Sequence, residues 1–248
     1  MIFNKLKLLG IFLFLFTTGV SANGVERSWD KALVYTPNAI FSKSTGSKIE
    51  EKLPVVIYLH GCTGIYPQHD VEWAKYIAGL GFIVVMPDSM ARTDRRSNCD
   101  PKAKGGTNAF PKAYEYRQQE IGYALEQLKN VSWADNKNIF LMGHSEGGIA
   151  TAQSNYAGFN GIIISGWTCT NPNKKFNGIF SPKETPVLAI AYVDDAWRKG
   201  KPNEGRCANQ ASGRDIVQLD LEGTEHSTFQ NKLAQSAVAE FLKKYLIR

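Results

Sequence analysis

The sequence is as informative in what it lacks as in what it holds. Its 248 residues contain only four cysteines, Cys62, Cys99, Cys169 and Cys207, and no two are close enough to form a C-x-x-C pair. That spacing gives no structural zinc site. Histidine is equally scarce, with four residues at positions 60, 69, 144 and 226, so few candidates exist for imidazole chemistry. There is no internal period of 20–50 residues, which excludes solenoids and propellers. Lys and Arg form no stripe interleaved with aromatics, so the chain lacks a nucleic-acid footprint.

Long apolar runs are also missing, apart from one near the start. Lys5 and Lys7 precede the run Leu8 to Phe16, and Val20-Ser21-Ala22 follows with small residues. This order of charged, apolar and small-residue segments predicts a secretory signal over residues 1–22. The run is short for a bilayer span, so no stable membrane insertion is expected after its removal; an uncleaved anchor is the alternative. No cysteine sits at the cleavage site to take a lipid. Residues 1–22 hold two lysines and no acids, so their loss lowers the formal charge from +6 to +4. Export to the periplasm or medium is the resulting expectation, and an even cysteine count there suggests two disulfides among three connectivities.

Residues 23–248 read as one α/β domain, because apolar runs alternate with helical patterns and no linker interrupts them. Strands are predicted at Val55 to Leu59, Phe82 to Met86, Asn138 to Met142, Gly161 to Ser165, Val187 to Val193 and Ile216 to Leu221. Helices are predicted at Val71 to Leu80, Ala113 to Leu128, from near Gly148, and at Phe229 to Leu246. Strands apolar throughout require cover on both sides, hence a mostly parallel central sheet with helices on both faces. Lys31 to Thr36 is a candidate strand at the sheet edge. Longer insertions lie near residues 89–111, 166–185 and 194–214.

Gly143-His144-Ser145-Glu146-Gly147 matches G-x-S-x-G at the junction of a strand and a helix. There a serine occupies a tight turn that only small neighbours permit, and its hydroxyl is presented at the sheet edge. A serine hydroxyl needs a base. Only His226 follows Ser145 among the histidines, and it lies between the last strand and the last helix. The acid that orients the base should follow the strand Val187 to Val193, where Asp194 and Asp195 compete. In related hydrolases the acid often stands nine residues after a proline; counting from Pro186 favours Asp195, with Asp194 the alternative. For an oxyanion, the Glu146 amide is one donor and the loop His60-Gly61-Cys62-Thr63-Gly64 offers the other, Cys62 ahead of Thr63. The loops that carry Cys62 and Cys99 share the C-terminal edge of such a sheet, so Cys62–Cys99 and Cys169–Cys207 is the preferred pairing.

The segments Leu59 to Gly64, Val85-Met86-Pro87-Asp88, Gly143 to Gly147 and Gly223-Thr224-Glu225-His226 resemble the dienelactone hydrolase family of the α/β-hydrolase fold. The likeness covers about residues 50–246. It implies hydrolysis of a small-molecule ester, carboxylic or lactone-like, through an acyl-enzyme with no metal or organic cofactor. Dienelactone hydrolases proper use a cysteine nucleophile where this chain has Ser145, which implies a related esterase. A serine peptidase of the prolyl oligopeptidase type and a catalytically silent binding protein share the elbow. Residues 166–214 hold eight Lys or Arg against four Asp or Glu, beside Trp167, Tyr192 and Trp197, which raises an anionic or aromatic ester as substrate. Oligomeric state is not legible.

Overall fold

The computed structural model describes residues 24–37, 39–42, 49, 51–95, 99 and 110–247. The expected signal segment and most of the 89–111 insertion lie outside the described residues. An eight-stranded sheet runs through the molecule. Its strands are β1 (Leu33–Thr36), β2 (Ala39–Ser42), β3 (Leu53–Leu59), β4 (Ile83–Met86), β5 (Ala134–His144), β6 (Gly161–Ser165), β7 (Val187–Tyr192) and β8 (Ile216–Leu221). The helices are α1 (Val25–Asp30), α2 (Glu72–Gly79), α3 (Phe110–Leu128), α4 (Glu146–Ala152) and α5 (Lys232–Lys244).

The spatial order is β2-β1-β4-β3-β5-β6-β7-β8. From β4 to β8 every neighbouring pair is parallel. The candidate edge strand Lys31 to Thr36 is present as β1, which joins β4 antiparallel, but β2 then pairs with β1 and is itself the edge.

Alternation along the strands divides the core in two. Val55, Ile57 and Leu59 of β3 meet Ile121, Ala124 and Leu128 of α3 and Ile149 of α4 on one face. Val56 and Tyr58 meet Trp73 and Ile77 of α2 and Val238 and Phe241 of α5 on the other. Fully burying one such aliphatic side chain contributes roughly 1.5–3 kcal/mol. That gain requires both sheet faces to be covered, which explains the apolar runs in β4, β6 and β7, in β3 from Val55, and in β5 from Ile139 to Met142.

Helix bounds shift from the sequence reading for local reasons. α4 opens at Glu146 rather than near Gly148, directly after Ser145. α5 starts at Lys232 because Asn231 caps it, its side-chain oxygen accepting from the Leu233 and Ala234 amides at 2.9 and 3.4 Å. The chain enters α2 through a π-helical turn at Pro67–Val71, where the bulky pair His69 and Asp70 is buried.

The order reverses between β3 and β5: the chain leaves β3 toward β4 on one side and returns to β5 on the other. In parallel α/β sheets such a reversal opens a crevice at the C-terminal strand ends. His60 follows β3 and Ser145 follows β5, so both stand at that crevice.

Candidate active site

Ser145 sits at φ 56°, ψ −115°, a conformation uncommon for a residue with a side chain. Its amide donates to the Ser165 carbonyl at 2.9 Å, which ties the turn to β6. The flanking glycines are required by close approach. A Cβ on Gly143 would overlap the Gly147 carbonyl, and one on Gly147 would overlap the Leu59 carbonyl. The turn therefore packs backbone against backbone, and Ser145 is the side chain left at its tip.

His226 stands in the loop between β8 and α5. Its Nδ1 lies 2.6 Å from Asp195 Oδ2, and the carboxylate is 1% exposed. The second oxygen, Oδ1, accepts the Trp197 amide at 2.8 Å, so Asp195 is fixed at both ends. Asp194 points elsewhere and pairs with Lys199 at 2.6 Å, both half-exposed. A carboxylate on Nδ1 keeps the proton there and leaves the lone pair at Nε2. Among the described residues His226 Nε2 has no hydrogen-bond partner.

Ser145, Asp195 and His226 line one cavity of about 440 Å³, together with Cys62 and Glu146. Tyr114, Ile149, Trp167, Phe176 and Trp197 give it apolar walls, with Arg198 and Lys201 along one side. Tyr192, grouped with the pocket aromatics by sequence, belongs to the core instead. The two cystines are Cys62–Cys99 and Cys169–Cys207, with Cα separations of 5.3 and 4.8 Å. The first fixes the loop after β3. The second joins the 166–185 and 194–214 insertions, which supply the far wall.

Sequence reasoning missed a buried charge cluster beneath Ser145. Glu146 Oε1 accepts from Arg95 Nη2 and, at 3.1 Å, from Arg117 Nε. Arg117 also pairs with Glu120 at 3.2 Å and donates to the His60 carbonyl at 2.7 Å. Ser89 Oγ donates to Glu120 at 2.6 Å. The cluster thus clamps Glu146, the residue after Ser145, to the start of the β3 loop. One signal was readable: Arg117 lies at i−4 from Ile121 and i−7 from Ala124, on the buried stripe of α3.

Two histidines close the structure around the elbow. His60 Nδ1 donates to the Gly61 carbonyl at 2.7 Å while Nε2 accepts the Ser89 amide at 3.1 Å, the pattern of a neutral ring. Burial first, then Arg117, holds its pKa well below the ordinary imidazole value. His144 is likewise held down, by burial and then by His69 and His226. Its Nδ1 is 3.2 Å from Ser165 Oγ, which in turn is 2.7 Å from Thr228 Oγ1 in the His226 loop.

Both rings fold neutral but take up protons in the unfolded chain below its pKa near 6.5. The unfolded state then binds more protons, so stability falls as pH drops from about 6.5 toward the depressed folded values. Linkage limits the slope to about 1.4 kcal/mol per pH unit for each histidine. Urea melts between pH 7.5 and 5 should show this loss, and His144→Gln should lessen its slope while His60 keeps the remainder. A flat profile over that range is the contrary result.

The architecture and elbow define an α/β-hydrolase-type protein. The dienelactone hydrolase family model matches residues 41–196, and the chain belongs to that family. Comparison with curated proteins finds no match. Among solved structures, Est1E from Butyrivibrio proteoclasticus is similar, with a TM-score of 0.56 at 15% identity over 86% of this chain and 93% of that one. The same protein with ferulic acid bound gives 0.58 at 14% identity, over 86% and 94%. A dienelactone hydrolase-like promiscuous phosphotriesterase from metagenomic libraries gives 0.59 at 14%, over 86% and 97%. At these identities the likeness concerns the fold alone.

Proposed function

We propose that the chain is an exported serine esterase acting on small carboxylic esters. The observation that carries the reading is the Asp195–His226 pair, with its free Nε2 in the same cavity as the strained Ser145. In this reading Ser145 Oγ attacks the ester carbonyl carbon as His226 Nε2 takes its proton. The carbonyl oxygen becomes an oxyanion, held by the amides of Glu146 and Cys62. Collapse breaks the bond to the alcohol, which leaves with the proton from His226. Water, deprotonated by the same ring, then attacks the acyl-enzyme, and the acid departs as Ser145 recovers its proton.

Aromatic side chains on the cavity wall support an aromatic ester, and Arg198 and Lys201 support one with anionic character. Ferulic acid bound to the Est1E neighbour is in keeping with such a substrate. Export is supported by the two cystines, which persist best outside a reducing cytoplasm. Among the described residues no helix is long and apolar enough to cross a membrane.

Fluorophosphonate labelling tests the reading. The folded protein should label, Ser145→Ala should not, and p-nitrophenyl esters of short and aromatic acids should turn over. Absence of labelling would favour a silent binding protein; cleavage of peptide amides in place of esters would favour a peptidase.

A further inference from the structure

Ser145 and His226 face a second cavity, of about 250 Å³, on the side of the loop after β3. Nothing in the hydrolytic steps above uses it. Its walls include Tyr66, Trp197 and the cystine Cys62–Cys99, and it also contains His69 and Asp70.

These last two form a second carboxylate–imidazole pair. His69 Nδ1 is 3.2 Å from Asp70 Oδ1, and both side chains are nearly inaccessible. Asp70 is anchored independently: Oδ1 accepts the Tyr58 hydroxyl at 3.0 Å, and Oδ2 accepts the Tyr66 amide at 2.8 Å. The Tyr58 phenol stays protonated, because burial and then Asp70 raise its pKa well above the usual value. Its proton is therefore available to the carboxylate. An ionised carboxylate only accepts, so with His69 Nδ1 3.2 Å from Oδ1 the ring carries its proton on Nδ1.

That assignment leaves a lone pair on His69 Nε2. The residue is 2% exposed, and among the described residues Nε2 has no partner. A buried acceptor without a donor costs free energy, about 1–3 kcal/mol for a polar group in general. The ring cannot turn away easily. It packs against His144 at a tilt of 42° with centroids 3.8 Å apart, and His144 packs against His226 at 53° and 4.7 Å. His69, with its unsatisfied Nε2, is among the residues that line the cavity flanking Ser145.

We propose that this small cavity is a specificity subsite for a hydroxyl group on the substrate, which donates its hydrogen bond to His69 Nε2. The inference rests on the esterase reading and adds to it which ester is preferred. A hydroxyl fits because it brings the one proton the site lacks. An ether oxygen of similar polarity brings none, and a site built around a hydrogen bond rejects an analogue that cannot make it. The hydroxyl can belong to the alcohol arm or to the acyl arm of the ester.

Two substrate pairs separate those sources. For the alcohol arm, 2-hydroxyethyl benzoate is compared with 2-methoxyethyl benzoate; for the acyl arm, ethyl 3-hydroxybenzoate with ethyl 3-methoxybenzoate. In one pair the hydroxyl member should have a kcat/KM higher by about ten-fold, mostly through KM. In His69→Phe that ratio should fall to near one. Ratios near one for both pairs in the wild-type protein would overturn the subsite whether or not the variant folds. So would a preference that survives in folded His69→Phe. Failure to hydrolyse any of the four esters would instead overturn the esterase reading and, with it, this refinement.

Discussion

Asp195→Asn is expected to lower kcat by about four orders of magnitude, while Asp194→Asn changes it by less than about two-fold. The contrast is large because the two neighbours do different things. Asp195 is buried and spans from the Trp197 amide to His226 Nδ1. Asparagine can keep the shape of that bridge but offers an N–H where the imidazole needs an acceptor. The ring then moves its proton to Nε2 and can no longer receive one from Ser145. Asp194 sits half-exposed against Lys199, an ion pair of small net value in water. Steady-state kinetics on a p-nitrophenyl ester, with circular dichroism to show that both variants fold, would decide it. Equal losses, or a larger loss at Asp194, would remove Asp195 from the proposed triad.

The choice between these aspartates shows how far a sequence can be read. Counting from Pro186 favoured Asp195, but spacing cannot say which way consecutive side chains turn at a strand end. The fold does, because the chain leaves β7 in a turn in which the Asp194 amide donates to the Gly223 carbonyl at 3.1 Å. The parallel strands were legible because burial on both faces imposes an apolar run, and the elbow was legible because close backbone packing leaves room only for glycine. β2 was not, since a short antiparallel edge strand answers to pairing with β1 more than to its own pattern. His69 and Asp70 belong to no sequence motif that would set them apart. Only the π-helical turn and the contact with Tyr58 of β3 bury them together. Likewise Glu146 was assigned a main-chain role, while its carboxylate takes part in an ion cluster drawn from separate segments.

That cluster supplies the second large effect, expected from Arg117→Met. The guanidinium is fully buried and contacts Glu146, Glu120 and the His60 carbonyl. Methionine fills similar volume but leaves two buried carboxylates short of a partner and the carbonyl without its donor. Breaking a buried pair from one side costs about 3–5 kcal/mol, since the remaining charge cannot regain water. For a domain of this size that corresponds to a fall in Tm of roughly 6–20 °C. Activity should fall as well, because Arg117 joins the residue after Ser145 to the loop that carries the Cys62 amide. Removing a donor to an oxyanion lowers kcat by about 10²–10³-fold, so loosening one should lower it by up to that much with little change in KM. Lys129→Met is the matched control: its pair with Glu126 is short, 2.7 Å, but both side chains are more than 60% exposed. There the expected change is within about 0.5 kcal/mol, because solvent already screens the charges. If both variants melted at the wild-type temperature and kept full kcat, the cluster would be neither a structural clamp nor a support for the proposed oxyanion site. A normal Tm with reduced kcat would restrict its role to aligning the β3 loop.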